Sequence, residues 1–396
     1  MTAPTASNHA TQLARYGNAL TGLAAGDAWG YQVEFRKYAA MPAYPVPAPA
    51  GEWIISDDTQ MTLALHDALV DVEDFADIEA VTDAIVRHFV LWQVDPDNTR
   101  APGRACMGSL HRLRSGARWY DKDGARESAG CGAVMRLVPA AFVPEPYWLG
   151  LTALQAVITH KHPRAIVPAL LLADAIRHAP DRHGRFLDSA LAEADAIYEG
   201  TSGWLTDPYL AAVLDPYAGD VSSVLVNGLN DEVVEILLVA AETRDRLDEL
   251  APTEFGDPCA GIGEGWESAS AIALGLLAAD MATAPAGAET APLTGPEALA
   301  WAATSNGDSD SIACIAGAVI GAAHTTPDYW ALAGLTPRFE PRYTAEITAA
   351  ADTLPGASAT ATAAAWANRF ELPMTKFSNV RSEERRVGKE CLRLCR

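Results

Sequence analysis

The sequence predicts an all-α protein, with one compact helical bundle running from about residue 12 to 335. Three observations carry this expectation. Apolar residues recur at helical spacing in segment after segment, β-branched alternation bounded by turns is scarce, and the connectors are rich in proline and glycine. In order, a first helix from Gln12 places Tyr16, Leu20, Leu23 and Ala24 on one face. The apolar Trp53, Ile54 and Ile55 then lead into Ser56-Asp57-Asp58-Thr59 and a helix carrying Met61, Leu65, Ala68 and Leu69. Further helices are expected over about 77–93, 148–160, 164–179, 185–199, 231–240, 266–281, 296–304 and 310–323. Proline- and glycine-rich connectors fall at 42–51 and 282–295, and no repeat of constant period is visible.

The chain has 396 residues, 49% of them hydrophobic, which is enough to bury a large core. Its net charge of −22 repels a polyanionic backbone, so no nucleic-acid partner is expected. The longest candidate membrane run, 312–323, falls short of the roughly 20 apolar residues that a span requires. The first 15 residues lack a basic segment followed by an apolar one, so no secretory signal is expected. Cys106, Cys131, Cys259 and Cys314 are far apart and form no CxxC pair, which fits thiols in a reducing compartment. A soluble, cytoplasmic protein is expected.

Beyond Pro337 the pattern weakens, and residues 336–380 read as an appendage of unknown role, helical or loosely ordered. Residues 381–396 hold six basic side chains against three acidic ones, unlike the rest of the chain. Their RSEERRVGKEC stretch resembles the translation of a sequencing-library adapter, so they read as a non-native tail and carry no functional argument.

Two acidic motifs carry the chemistry. Ser56-Asp57-Asp58-Thr59 opens an apolar helix, where capping accounts well for one carboxylate and less well for two. Asn306-Gly307-Asp308-Ser309-Asp310-Ser311 opens another, whose Ile312, Ile315, Ala316, Val319 and Ile320 make it central rather than peripheral. Gly317 and Gly321, one turn apart, permit a close approach by another helix or a ligand. Asp308, Asp310 and Ser311 are hard oxygen donors suited to Mg²⁺, Mn²⁺ or Ca²⁺ rather than zinc. An EF-hand is excluded, because Ile312 occupies its third ligand position and no glycine and glutamate follow in register. Carboxylates gathered at buried helix starts are costly unless a shared cation compensates them.

These residues, in this order, resemble the ADP-ribosylglycohydrolase family. The resemblance is carried by Gly22, Gly26-Asp27 and Gly30, then Glu34, and by the first acidic motif. It continues through Gly130-Cys131-Gly132-Ala133-Val134-Met135-Arg136 with Pro139, Thr159-His160 with His162-Pro163, the 263–267 segment GEGWE, and the second motif with Gly317 and Gly321. It implies an orthogonal all-α bundle with two Mg²⁺ ions, for which Mn²⁺ can substitute. The implied metal ligands are Ser56, Asp57, Asp58, Asp308, Asp310 and Ser311. The implied catalytic groups are Glu34, Asp57, Asp58 and Asp308, with Glu34 on a mobile loop. Gly130, Cys131, Gly132, Met135 and His160 are the implied substrate-binding residues, Cys131 standing where many relatives have asparagine.

The implied reaction is metal-assisted hydrolysis at the anomeric carbon of an ADP-ribosylated protein side chain or small molecule. Of the supporting residues, Arg136 is expected to be structural, Asp27 a buried hydrogen-bonded group behind the motifs, and Trp266 part of the core. Two rival readings are a non-catalytic ADP-ribose-binding or structural member of the same fold, and a hydrolase of another small N-glycoside.

Overall fold

Helix α1 (Ala6–Tyr31) runs through the interior of the protein, followed by α2 (Asp57–Val70), α3 (Ile78–Gln93) and α4 (Arg104–Arg114). A middle group comprises α5 (Val138–Ala141), α6 (Trp148–Val157), α7 (Pro163–Arg177), α8 (Phe186–Tyr198), α9 (Pro208–Ala218), α10 (Val221–Gly228) and α11 (Asp231–Leu247). The last group is α12 (Ser268–Ala282), α13 (Gly295–Ala302), α14 (Ser309–Ala323), α15 (Tyr329–Leu332) and α16 (Pro341–Ala351). The computed structural model describes residues 6–284 and 291–356. The readings made for residues 357–380 and for the 381–396 tail lie outside the described residues. Among those described there is no β-strand, and extended pairing is limited to isolated bridges, of which Gly130 with Glu267 matters below.

The expected helical spans are present to within a few residues, α11 running further than anticipated, to Leu247. Local signals explain several ends: Asp77 Oδ1 accepts from Ala80 N at the start of α3, and Thr294 and Glu297 form a capping box at α13. Glycine in the left-handed region ends α9 at Gly219. Helices α4, α5, α9, α10 and α15 were not anticipated, and α16 was expected only as one of two readings of its segment. Arginines crowd α4, prolines stand at both ends of α9, and α10 is eight residues long, so none shows a sustained apolar stripe. Residues past 335 join the same packing: Tyr343 and Ile347 of α16 are buried against α1 and α2.

Two helices set the position of everything else. Every residue of α12 and of α14 is buried, and α14 lies along α1 in the most extensive helix pairing of the fold. The pairing is close because both helices present small residues to each other. A Cβ at Gly22 would lie 2.3 Å from Gly317 O, one at Gly26 2.0 Å from Ala313 O, and one at Gly30 2.2 Å from Ser309 O. Side chains of any size there would push the backbones apart. The C-terminal part of α1 is thereby laid against the N-terminus of α14, with the start of α2 beside both. No helix among the described residues is long and apolar enough to cross a membrane.

Candidate active site

The site is assembled at two helix N-termini and held by the C-terminal part of a third helix, α1. Asp27, fully buried within α1, accepts hydrogen bonds from Ser56 N at 2.9 and 3.1 Å, Thr59 N at 3.1 Å and Thr59 Oγ1 at 2.5 Å. A carboxylate on one helix therefore supplies acceptors for the unsatisfied amides opening the next. Ser56 Oγ accepts from Asp58 N at 3.2 Å, and Asp57 Oδ2 accepts from Gly103 N at 3.1 Å. The second motif is placed by Ser309 Oγ, which donates to Gly30 O at 2.9 Å, and by Asp308 N, which donates to Glu264 O at 2.8 Å.

Of the expected metal ligands, Asp57, Asp308 and Asp310 lie near enough to Asp58 for their charges to raise its carboxyl. Ser56, Asp57, Asp58, Asp308, Asp310 and Ser311 are each at most 5% exposed. Glu34, Asp308 and Asp310 each offer a carboxylate oxygen, the three lying within 4.8 Å of one another. Glu34 Oε2, Asp58 Oδ2 and Asp310 Oδ1 are buried oxygens with no hydrogen-bond donor among the described residues. Such groups are costly in a protein interior. Orphaned, hard, anionic oxygens from three separate segments fit a divalent cation of the Mg²⁺ or Ca²⁺ class.

The electrostatics point the same way. Burial first, and then the Asp310 charge, push the Glu34 carboxyl up to about 9 and that of Asp27 up to about 7. Burial likewise holds Asp57, Asp58 and Asp308 well above the usual carboxylate range, with neighbouring carboxylates adding to it. Asp310 is raised by burial against the hydrogen bonds it accepts. The acids repel one another, and a bound cation would reverse that balance.

The glycine loop sits on the opposite flank. Cys131 Sγ donates to Asp308 Oδ2 at 2.8 Å, so this side chain touches the acidic cluster directly. Gly130 pairs with Glu267, Cys131 N donates to Trp266 O at 3.0 Å, and Ser268 Oγ donates to Gly130 O at 2.7 Å. Gly130 and Cys131 are half-buried, whereas Gly132, Met135 and His160 are buried. Gly132 rests on the histidine: a Cβ there would lie 2.6 Å from His160 Cε1. Burial and the Arg136 charge push His160 down to about 3, so the ring is neutral, and its Nδ1 is paired with Thr159 Oγ1 at 2.8 Å. Met135 belongs to the core.

Arg136 is structural, as expected. It is fully buried, bonds the side chain and carbonyl of Gln155 and the Thr159 hydroxyl, and lies over the Phe89 ring at 4.5 Å. Trp266 corrects the reading that placed it in the core. Helix α12 begins at Ser268, two residues later than its apolar pattern suggests, and Trp266 stays in a turn shaped by Gly263 and Gly265 at positive φ. Its ring is 40% exposed and stacks on Phe35. The Gly103 amide that fixes Asp57 was missed with α4, although the Pro102-Gly103 pair is a recognisable turn signal.

The sequence matches the ADP-ribosylglycohydrolase family over residues 8–364. Over 213 residues it is 32% identical to the ADP-ribosyl-[dinitrogen reductase] glycohydrolase of Rhodospirillum rubrum, covering 48% of this chain and 66% of that protein. Over 181 residues it is 33% identical to the ADP-ribosylarginine hydrolase Tri1 of Pseudomonas putida strain GB-1, covering 41% of this chain and 45% of that one. The matched region thus spans less than two thirds of either relative. Among solved structures, an ADP-ribosylglycohydrolase-related protein complex superposes with a TM-score of 0.51 at 21% identity, over 88% of this chain and 99% of that one, which is a likeness of fold. By the extent of the family match, this chain belongs to the ADP-ribosylglycohydrolase family.

Proposed function

We propose that the chain is a metal-dependent hydrolase that cleaves the glycosidic bond between ADP-ribose and a modified protein side chain, or a related ADP-ribosyl conjugate. One observation carries this reading. Three buried carboxylate oxygens, Glu34 Oε2, Asp58 Oδ2 and Asp310 Oδ1, come from three distant segments and have no donor to satisfy them. The two curated relatives, named for ADP-ribosyl and ADP-ribosylarginine hydrolysis, support the substrate class.

Ser56, Asp57 and Asp58 on one side and Asp308, Asp310 and Ser311 on the other are the proposed ligands of two Mg²⁺ ions, with Mn²⁺ an alternative. When bound, such ions supply Lewis-acid attraction for ribose hydroxyls and acidify a water. The protein's own part is positional. Asp27 fixes the start of α2, Gly103 N orients Asp57, and Cys131 donates to Asp308. Glu34 is half-buried, less enclosed than the aspartates, and keeps its proton more strongly than an ordinary glutamate. That suits a group holding or delivering a proton at the leaving atom as charge develops at the anomeric carbon. Gly130 and Cys131 are the proposed substrate contacts of the glycine loop, with Gly132, Met135 and His160 shaping it from behind. Among the described residues Cys106, Cys131, Cys259 and Cys314 are free thiols, which supports a cytoplasmic enzyme.

The test is release of free ADP-ribose from arginine- and serine-linked substrates, with Mg²⁺, with EDTA, and for Asp308→Ala. Metal-dependent release that disappears in the variant is expected, and the preferred substrate identifies the acceptor. Metal-dependent binding of ADP-ribose without turnover would leave a binding module instead. Turnover confined to other small N-glycosides would move the substrate class.

A further inference from the structure

Glu34 reaches the acidic cluster from a segment that α1 no longer holds. The helix ends at Tyr31, and beyond it only the Val33 and Glu34 amides still donate to Gly30 O. Phe35 then adopts φ +67°, a region that bulky side chains seldom enter, and its ring, 69% exposed, stacks on Trp266. The ring centroids are 5.7 Å apart and the planes 12° from parallel. Lys37 Nζ donates to Glu264 Oε1 at 2.8 Å across 227 residues of sequence. Tyr38 N donates to Asn306 Oδ1 at 2.8 Å.

Glu264 is the common partner. Its carboxylate also accepts from Asn306 Nδ2 at 3.0 Å and from Trp266 Nε1 at 3.2 Å. Its main-chain carbonyl accepts from the Asp308 amide. Gly307 makes that approach possible, since a Cβ there would lie 2.1 Å from Glu264 O. One turn therefore ties down both the segment bearing Glu34 and the start of the second acidic motif. Two exposed aromatic rings resting on each other, beside an exposed ion pair, do nothing for the core. What the two contacts share is that Phe35 and Lys37 stand one and three residues beyond Glu34.

We propose that Glu264 is a positioning residue. With Lys37, Phe35 and Trp266 it forms a clasp that holds the Glu34 carboxylate beside Asp308 and Asp310. The inference rests on the reading of that acidic cluster as a divalent-cation site. The clasp lies in solvent, where each contact is weak, so it can release and re-form as ligands enter and leave.

The test is a charge swap read by Mn²⁺ calorimetry and by turnover of an arginine-linked ADP-ribosyl peptide. Lys37→Glu sets like charges against each other at an exposed position, leaving the fold intact by thermal melting. Mn²⁺ binding about fivefold weaker is expected, the upper range for one exposed ion pair, with kcat reduced by a similar factor. Combining Lys37→Glu with Glu264→Lys should recover at least half of the loss. In a Glu34→Ala background, Lys37→Glu should have no further effect on Mn²⁺ affinity, because the clasp acts through Glu34. Wild-type Mn²⁺ affinity in Lys37→Glu, an equal loss without Glu34, or no recovery in the swap would each overturn the proposal. If the wild-type chain binds Mn²⁺ but turns over no ADP-ribosyl substrate, the hydrolase reading fails while the calorimetric cycle still decides the clasp. If it binds no Mn²⁺, both fall.

Discussion

Thr59 donates both its amide and its hydroxyl to one oxygen of Asp27, 32 residues earlier in the chain. A carboxylate buried near the C-terminal end of α1 thereby serves as the cap of α2, while Ser56, the residue at the cap position, is also a proposed metal ligand. Asp27→Ala would leave the Ser56 and Thr59 amides buried without acceptors. The expected cost is about 3 kcal/mol, in line with orphaned buried donors. Asp27→Asn keeps the volume and one acceptor, so a smaller loss is expected. Urea titration of both variants in EDTA checks the order, and equal stability of Asp27→Ala and the wild type would remove the capping role.

The same cluster sets the pH dependence of the metal-free chain. Folded Asp27 and Glu34 carry pKa values of about 7 and about 9, above their ordinary values of 3.8 and 4.5. The folded state therefore holds protons that the unfolded state has released, and stability must fall as pH rises from roughly 4 through 9. This is opposite in sign to an ion-paired carboxylate. Thermal melts in EDTA should show Tm declining from pH 5 to 8, and a divalent cation should flatten or reverse the slope. A Tm that rises over this range without metal would show that these acids are ionised and compensated in another way.

Metal binding itself should be visible without catalysis. A cation that binds only the folded state adds about 2.7 kcal/mol of stability at one hundred times its dissociation constant. Mg²⁺ or Mn²⁺ should accordingly raise Tm by several degrees. Asp310→Asn, which removes half of a carboxylate bearing an orphaned oxygen, should abolish most of that increment. It should leave the EDTA melt unchanged or higher, because a repelling charge has gone. A metal increment retained in Asp310→Asn would place the cation elsewhere.

How far the site was legible in the sequence depends on which physical signal carries each residue. The two acidic motifs were legible because carboxylates clustered at the start of apolar helices have no cheap structural explanation. A close approach to α14 was legible in outline, since Gly317 and Gly321 stand one turn apart, but that α1 makes it, through Gly22, Gly26 and Gly30, was not. What failed depends on turns. Apolar periodicity continues into the turn before α12, so Trp266 looked internal until Gly263 and Gly265 turned it outward. Glu264 was passed over because nothing local marks it: its partners Lys37, Asn306 and Asp308 come from sequence up to 227 residues away. Helix α4 was missed because its buried side is only Cys106, Ser109, Leu110 and Leu113, among arginines.

The glycine loop makes a sharper prediction about His160. Gly132→Ala would place a methyl group 2.6 Å from His160 Cε1 and 3.0 Å from Cys106 Sγ, both buried. The loop must then shift, and Cys131 with it, away from Asp308. An overpacking cost of about 1–3 kcal/mol is expected, together with weaker metal binding. His160→Ala in the same chain opens the space, so the double variant should recover metal affinity even though neither residue donates to the cluster. If the double variant binds metal no better than Gly132→Ala, the histidine does not act through the loop.

One of the tightest contacts between α1 and α14 gives the most severe expected defect. At Gly26 a Cβ would meet Ala313 O at 2.0 Å and Ala313 C at 2.4 Å, both backbone atoms of a helix that is buried along its whole length. Neither can rotate aside, so Gly26→Ala must separate α1 from α14. A helix-interior Gly→Ala change would ordinarily stabilise by roughly 0.5–1 kcal/mol. Here the steric term has the opposite sign and should exceed it, giving a net loss of about 2 kcal/mol or more. Asp27 is the next residue and Asp310 lies one turn before Ala313, so the separation also pulls the cap of α2 away from the second acidic motif. Gly26→Ala should therefore lower both stability and metal affinity. Gly17→Ala, in the same helix, brings its Cβ only to 3.4 Å from Ala351 Cβ and should leave metal affinity unchanged. Urea melts and Mn²⁺ calorimetry on the two variants separate close packing at one position from helix propensity at both; equal behaviour would mean that the approach of α1 to α14 does not set the site.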